Sequence, residues 1–214
     1  VCGMNTPGQN SNAVAELVFG LLVTGVRNFY NGSSGTELKG KKLGIHAYGN
    51  VGKNVARIAL GFGMELLAYD TYSRSEVINA DGIDPTISVK TLYRYSDIVS
   101  IHIPLTDETR KLIGKDLLKN MPQGAILVNT ARKEVINEPE LLEYMLENPK
   151  FKFLTDIKPD MHEEFVAKVG DRYFSTPKKM GAQTAEANVN AGIAAAHQIV
   201  DYLKNGNQKY RVNG

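Results

Sequence analysis

A short apolar run, a crowd of small residues and an immediate helical pattern stand together at Leu43-Gly44-Ile45-His46-Ala47-Tyr48-Gly49-Asn50-Val51-Gly52-Lys53. That layout suits the binding of an anion by backbone. Unpaired N–H groups at a helix N-terminus carry partial positive charge, and small residues let a diphosphate approach them closely. In the G-x-G-x-x-G pattern of dinucleotide loops, Gly49 and Gly52 take the second and third places, and Ala47 stands in the first. Alanine there is cheap only where the backbone needs no positive φ. Asp70 follows the apolar run Met64–Tyr69, where a carboxylate would accept hydrogen bonds from an adenosine ribose. Its plain alternative role is to cap the next turn. Loop and acid together predict NAD rather than NADP, since a carboxylate repels a 2′-phosphate. Arg74 nearby argues the other way.

Further candidates lie downstream. Arg132 closes Asn129-Thr130-Ala131-Arg132, and a lysine pair follows in Thr176-Pro177-Lys178-Lys179-Met180-Gly181. A planar guanidinium suits a bidentate carboxylate contact. Of the four histidines, His46 falls within a strand pattern and reads as a core residue. His102 ends a strand between Ile101 and Ile103. His162 lies in the acidic stretch Asp160–Glu164, and His197 on the last helical pattern reads as structural. No grouping has metal-ligand spacing, and no Gly-Lys-Ser/Thr phosphate loop occurs.

These residues need elements to hold them. Apolar strand patterns cover Leu43–Ala47, Glu65–Tyr69, Ile98–Ile101, Ala125–Asn129, Phe151–Thr155 and Tyr173–Ser175. Helical patterns lie between them at Val51–Phe62, Ser88–Tyr95, Lys115–Asn120, Glu138–Glu147 and Glu163–Val169. Such alternation predicts βαβ units and a doubly wound, mostly parallel α/β sheet. Before it, Ala13, Val14, Leu17, Val18, Leu21, Leu22 and Gly25 form one helical stripe. Phe19 and Val23 lie off that stripe and are compatible with a second helix surface at a dimer. After the alternation, a helix from Ala185 to Leu203 carries Val189, Ile193, Ala196, Val200 and Leu203 on one face. The expected division is 1–35 as a crossing segment, 36–183 as the nucleotide-binding domain and 184–214 as a returning helix.

The 214 residues include 25 basic and 23 acidic side chains, for a net charge of +2. That balance argues against a nucleic-acid surface or a polybasic membrane anchor. The most apolar stretch, Ala13 to Val26, contains Glu16 and is too short to span a membrane. No basic region precedes it, so it does not read as a signal peptide. One cysteine, Cys2, rules out an internal disulfide framework and a multi-thiolate zinc site. A cytoplasmic setting fits. The chain opens on Val1, and the expectation is that residues precede it in the full protein.

Taken in order and spacing, Asn5-Thr6-Pro7-Gly8, the Ala47–Gly52 loop, Ser100-Ile101-His102-Ile103-Pro104-Leu105-Thr106, Asn129–Arg132 and Thr176-Pro177 resemble the D-isomer-specific 2-hydroxyacid dehydrogenases. Within that family the chain is similar to the D-3-phosphoglycerate dehydrogenase branch with lysine in place of the catalytic histidine. The resemblance implies a two-lobed, homodimeric NAD enzyme oxidising 3-phospho-D-glycerate to 3-phosphooxypyruvate, the entry into serine synthesis. Reductases of glyoxylate or hydroxypyruvate and a non-catalytic NAD(H)-sensing module are its alternatives. It assigns Asn50 and Val51, with Gly49 and Gly52, to the pyrophosphate and Asp70 to the ribose. His102, Ile103, Pro104, Thr130, Ala131, Asp156 and Gly181 are assigned to the cofactor's surroundings, with Asp156 near the nicotinamide carboxamide. Arg132 and Asn10 are assigned to the substrate.

Two departures from the family pattern need chemistry. Lys178 stands where the family has histidine, and Met161 stands where its glutamate would be. A carboxylate partner tunes a histidine toward neutrality but would push a lysine further from it, so the two changes are chemically coupled. Lys178 is therefore the expected acid–base group, with Lys179 as its uninvolved neighbour. Asp160 as a displaced carboxylate and His162 as a displaced acid–base group rank below it.

Overall fold

The structure is a computed structural model that describes residues 1–73 and 75–213. Arg74, the one residue whose type spoke for NADP, lies outside the described residues. Seven strands form a single sheet: β1 (Lys42–His46), β2 (Glu65–Tyr69), β3 (Asp84–Pro85), β4 (Ile98–Ile101), β5 (Ile126–Asn129), β6 (Lys152–Thr155) and β7 (Tyr173–Ser175). Their order is β3-β2-β1-β4-β5-β6-β7, and every neighbouring pair is parallel. The chain winds outward from β1 in one direction and restarts at β4 in the other, the doubly wound arrangement that the alternation predicts.

Helices cover both faces. They are α1 (Ser11–Val26), α2 (Asn50–Gly61), α3 (Ser75–Ala80), α4 (Val89–Tyr95), α5 (Lys115–Leu118), α6 (Glu138–Glu147), α7 (His162–Val169) and α8 (Ala185–Asn205). Strands β4 and β5 are buried at every position, which is why they read as unbroken apolar runs rather than alternating ones. One core layer gathers Val18, Leu22, Val55 and Ala59 against Leu43 and Ile45. The opposite layer packs Leu92, Leu141 and Phe165 against Leu127 and Phe153. Two elements, α3 and β3, were absent from the sequence pattern. β3 is a two-residue edge strand, too brief to generate a periodic signal.

The first helix corrects an expectation. Phe19, off the expected stripe and noted as compatible with a dimer surface, is buried within the chain and stacks on Phe62 at the end of α2 with ring centroids 5.0 Å apart. Ala13 and Leu17, on the expected stripe, are partly exposed. The 1–35 segment thus packs into the same core as the sheet. Gly25 lets α1 approach the sheet: a Cβ there would stand 2.7 Å from a Leu154 methyl. The Lys152 ammonium closes the helix, donating to Gly25 O and Asn28 Oδ1 at 2.7 Å each. A cation suits this C-terminal end, where carbonyls lack partners. The final helix behaves differently. Only Ala187 of α8 is buried, and Ile193 and Leu203 are 52% and 76% exposed. His197, read as structural, is exposed too, because the helix has no cover on that side.

Replacing Lys152 by methionine keeps the stem and removes both donated bonds. We expect a loss of about 1–3 kcal/mol, measured as a lower urea midpoint. An unchanged midpoint would show that the capping bonds contribute nothing net.

Candidate functional site

Six residues of the candidate site stand one position past the end of a strand. Asp70 follows β2, Ala47 follows β1, His102 follows β4, Thr130 follows β5, Asp156 follows β6 and Thr176 follows β7. Because all seven strands are parallel, these six positions share one edge of the sheet. Backbone pairing continues one residue beyond the strands and holds them there: Ala47 N–H donates to Tyr69 O, His102 N–H to His46 O, Asp156 N–H to Asn129 O and Thr176 N–H to Thr155 O, at 2.8 to 3.1 Å.

A cavity of about 530 Å³ opens at the switch between β1 and β4. Gly49, Asp70, His102, Ile103 and Pro104, five of the expected cofactor residues, line it. The Asp70 carboxylate accepts from Tyr48 N–H at 2.6 Å, Tyr72 N–H at 2.7 Å and Ser73 N–H at 2.9 Å. Burial alone would raise its pKa, but these three donors outweigh that effect and hold the carboxyl below its ordinary value. A fixed anion therefore stands at the pocket wall. It does cap a turn, as the plain reading has it, while facing the cavity as well. The two histidines at the strand tips are neutral. Burial pushes His46 down to about 4, and burial followed by the nearby His46 pushes His102 down to about 3. His46 pairs with the Tyr93 hydroxyl at 3.2 Å, and His102 Nε2 with the Ser100 hydroxyl at 2.9 Å.

The glycine loop fits a diphosphate on several counts. No side chain caps the N-terminus of α2, so its first N–H groups are without an intrahelical partner. A Cβ on Gly49 would meet nothing within 4 Å, so the loop leaves open space there, whereas one on Gly52 would lie 2.4 Å from Ala47 O. Gly49 leaves room for a ligand, and Gly52 lets the helix pack on the strand. Ala47 has φ 82, so the first position does need the left-handed backbone that glycine would give freely. The alanine costs about 1–2 kcal/mol of strain. Tyr48 secures it: its N–H is held by Asp70, and its hydroxyl donates to Asp81 Oδ2 at 2.9 Å. Asn50 and Val51 stand in the first turn of α2, with Asn50 exposed and packed beneath Gly8 of the Asn5–Gly8 turn.

Farther along the edge, Asn129 shapes the turn that carries Arg132. Its side chain accepts from Ala131 N–H at 3.0 Å and donates to Arg132 O at 2.9 Å. Arg132 is exposed, and the Thr130 hydroxyl is buried with no protein partner. An orphan of that kind costs about 1–3 kcal/mol unless a ligand satisfies it.

Asp156, expected near the nicotinamide carboxamide, is tied to the turn that follows β7. It has no exposed surface, and its oxygens accept from Met180 N–H, Gly181 N–H and the Thr176 hydroxyl. Gly181 is likewise a packing glycine, since a Cβ there would stand 2.9 Å from Asp156 Oδ2. Lys178 and Lys179 are both exposed. It is Lys179, read as uninvolved, whose pKa is lowered, first by burial and then by Arg132, against the opposing pull of Asp156 and Glu134. His162 Nδ1 pairs with the Tyr173 hydroxyl at 2.8 Å, and Asp160 accepts from the Lys133 ammonium at 2.5 Å. Asn10 is exposed just before α1.

Tyr48 escaped the sequence reading, and Lys179 was read there only as the neighbour of Lys178. No periodicity separates Lys179 from Lys178 in a loop. Asn129, by contrast, could have been singled out from its turn chemistry. Among the described residues, no group of three or more His, Cys, Asp or Glu could hold a metal ion, and no helix is long and apolar enough to cross a membrane.

Comparison with known proteins agrees with this geometry. The family model for the NAD-binding domain of D-isomer specific 2-hydroxyacid dehydrogenases matches residues 23–165. Hydroxypyruvate reductase of Thermotoga maritima is 33% identical over 94% of this chain and 69% of its own length. D-3-phosphoglycerate dehydrogenase of Methanocaldococcus jannaschii is 32% identical over 94% of this chain and 41% of its own. Among solved structures, NAD⁺-bound 3-phosphoglycerate dehydrogenase of Entamoeba histolytica superposes with a TM-score of 0.91 at 42% identity, covering all of this chain and 68% of that one. The chain thus spans between 41% and 69% of these relatives.

Ala47→Gly removes the strained alanine. We expect a gain of about 1 kcal/mol, read in a thermal melt as a rise of roughly 2–4 °C. A lower melting temperature would show that the alanine is held without strain.

Proposed function

Since the chain belongs to the D-isomer-specific 2-hydroxyacid dehydrogenases and carries their NAD-binding domain, we propose that the whole protein oxidises 3-phospho-D-glycerate to 3-phosphooxypyruvate. The observation that carries this reading is one edge bearing a diphosphate cradle, a ribose-binding anion, an arginine and a lysine pair. Similarity to the Entamoeba histolytica 3-phosphoglycerate dehydrogenase supports the substrate. Similarity to hydroxypyruvate reductase favours a second reading, reduction of hydroxypyruvate by the same site.

Bound NAD supplies the hydride acceptor for substrate C2; the other tasks fall to the chain's own residues. The first N–H groups of α2, at Asn50 and Val51, hold the pyrophosphate, with Gly49 giving access. Asp70 accepts from the adenosine ribose and disfavours a 2′-phosphate. The Thr130 hydroxyl takes its missing partner from the cofactor. Arg132 grips the substrate carboxylate in a bidentate contact and polarises the C2 oxygen. As that oxygen becomes a carbonyl it gives up its proton. Lys178, at the position of the family's histidine, is the group that accepts it.

The exposed apolar face of α8 supports a further part of this reading: it packs on the substrate lobe that longer relatives possess. The protein works as a homodimer in the cytoplasm, by analogy with the family. Residues 1–214 alone bind NAD and turn over substrate poorly, because much of the substrate pocket comes from that lobe.

Lys178→Ala in the intact protein should lower kcat by about 10²–10⁴-fold while NADH binding, followed by fluorescence, is unchanged. Full turnover in that variant would remove Lys178 from the chemistry. Competition between 3-phospho-D-glycerate and D-glycerate at equal concentration decides the substrate, and preference for D-glycerate would favour the second reading. Asp70→Asn should narrow the preference for NAD over NADP by about tenfold or more. Undiminished discrimination would show that Asp70 does not read the ribose.

A further inference from the structure

We infer that Tyr48 is a positioning residue for the cofactor: its hydroxyl, tied to Asp81, joins the glycine loop and the ribose-side turn into one unit from outside the nucleotide cavity. This inference rests on the reading of Ala47–Gly52 as the diphosphate loop and of Asp70 as the ribose-binding anion.

Tyr48 is bonded at both of its ends. Its N–H donates to Asp70 Oδ2 at 2.6 Å, and its hydroxyl donates to Asp81 Oδ2 at 2.9 Å. Those two carboxylates stand at the start and the finish of one excursion of the chain, from the tip of β2 to the end of α3. A single residue of the glycine loop therefore closes that excursion at both ends. Each end is also fixed on its own account. The other Asp70 oxygen accepts from Tyr72 N–H at 2.7 Å and Ser73 N–H at 2.9 Å. Asp81 N–H donates to Ile78 O at 3.2 Å and Gly82 N–H to Asn79 O at 2.9 Å, with Gly82 at φ 75, the left-handed backbone that often ends a helix. Ile78 and Ile83 on either side of Asp81 are buried with the Tyr48 ring in one core layer. Asp81 itself is exposed, so its backbone, not burial, holds the acceptor in place. Burial first, and then the bond to Asp81, raises the phenol's pKa, which keeps it a donor at neutral pH.

The side chain works from the far side of the loop. Ala47 and Gly49 line the cofactor cavity, whereas Tyr48 between them lines a separate groove of about 400 Å³ with Lys53, Arg57 and Asp81. The strained Ala47, at φ 82, immediately precedes it. Relaxing that strain by rotation at Tyr48 would carry Gly49 and the first N–H groups of α2 with it, and would pull on Asp70 through the shared bond. A buried ring anchored at its hydroxyl is a long lever against such rotation. Binding groups need this kind of support, because productive geometry tolerates displacements of only about 0.5 Å.

Tyr48→Phe, Asp81→Ala and Asp81→Asn in the intact protein test the tether. Phenylalanine keeps the buried ring and removes only the donor; asparagine keeps an acceptor oxygen, and alanine does not. We expect the NADH dissociation constant and KM for NAD to rise about three- to tenfold in Tyr48→Phe and in Asp81→Ala. At saturating NAD, kcat should not fall in either variant. Asp81→Asn should bind NADH as the parent does. The double variant Tyr48→Phe/Asp81→Ala should be no weaker than the single ones, since both remove the same bond.

Unchanged NADH affinity in Tyr48→Phe, beside normal binding by the parent, would overturn the inference alone; additive losses in the double variant would do the same. A parent protein that fails to bind NADH would sink the cofactor reading and this inference with it. Amide hydrogen exchange at Asp81 and Gly82, measured without nucleotide, reads the tether directly. It should quicken in Tyr48→Phe and not in Asp81→Asn, and equal rates in all variants would show that the hydroxyl holds nothing.

Discussion

Parallel pairing of every strand is the constraint from which the site follows. A right-handed crossover must return the chain to the same end of the sheet before the next strand begins. All strands consequently finish at one edge, and the backbone groups just past them are only half satisfied. That edge collects polar residues for a physical reason: β4 and β5 are buried at every position, and their polar side chains, Ser100 and Asn129, lie at or next to the last residue of the strand. Asp70, His102, Thr130, Asp156 and Thr176 are each the first residue released from that restriction.

Two kinds of support then hold the edge in shape. On the nucleotide side a strained backbone is braced from outside: Ala47 sits at φ 82, while Tyr48 is tied to Asp70 through its N–H and to Asp81 through its hydroxyl. On the substrate side the support is internal, as Asn129 and Asp156 place their polar atoms beneath the turns they shape. In both cases buried or half-buried anions are stabilised mainly by backbone N–H groups rather than by ion pairs. Such bonds keep a charge fixed at low reorganisation cost. Among the described residues, the ion pairs Lys90–Asp116, Lys119–Asp116 and Lys168–Glu164 lie at the surface with side chains about half or more in solvent and contribute little to the architecture.

Legibility in the sequence varied with the length and periodicity of each element. Strand β4 and helix α6 were readable to the residue, one as a continuous apolar run and the other between an acidic, proline-bearing start and Asn148. α3 and β3 were not, because a six-residue helix and a two-residue edge strand leave no period to detect. The glycine loop was legible as a motif, yet the cost of Ala47 was not, since φ is a property of the folded backbone. Phe19 read as compatible with a dimer surface because a single helical stripe ignores the second neighbour, the end of α2, that covers it. Asp156 also accepts from Met180 N–H and Gly181 N–H, which the motif reading did not announce. Donor and acceptor lie more than twenty residues apart in the chain, and no spacing rule anticipates that pairing.

The sequence by itself determined the class of fold, the direction of winding, the diphosphate loop and the identity of the groups that can do chemistry, because hydrophobic period and glycine placement act over a few neighbouring residues. Tertiary structure alone decided which of those groups face the cavity and which are consumed in holding it open. A carboxylate is a partly exposed anion at the cavity wall at position 70 and a fully buried acceptor at position 156 according to what the folded chain brings against it. In the first case backbone donors meet a partly exposed oxygen beside open space; in the second they surround the group completely.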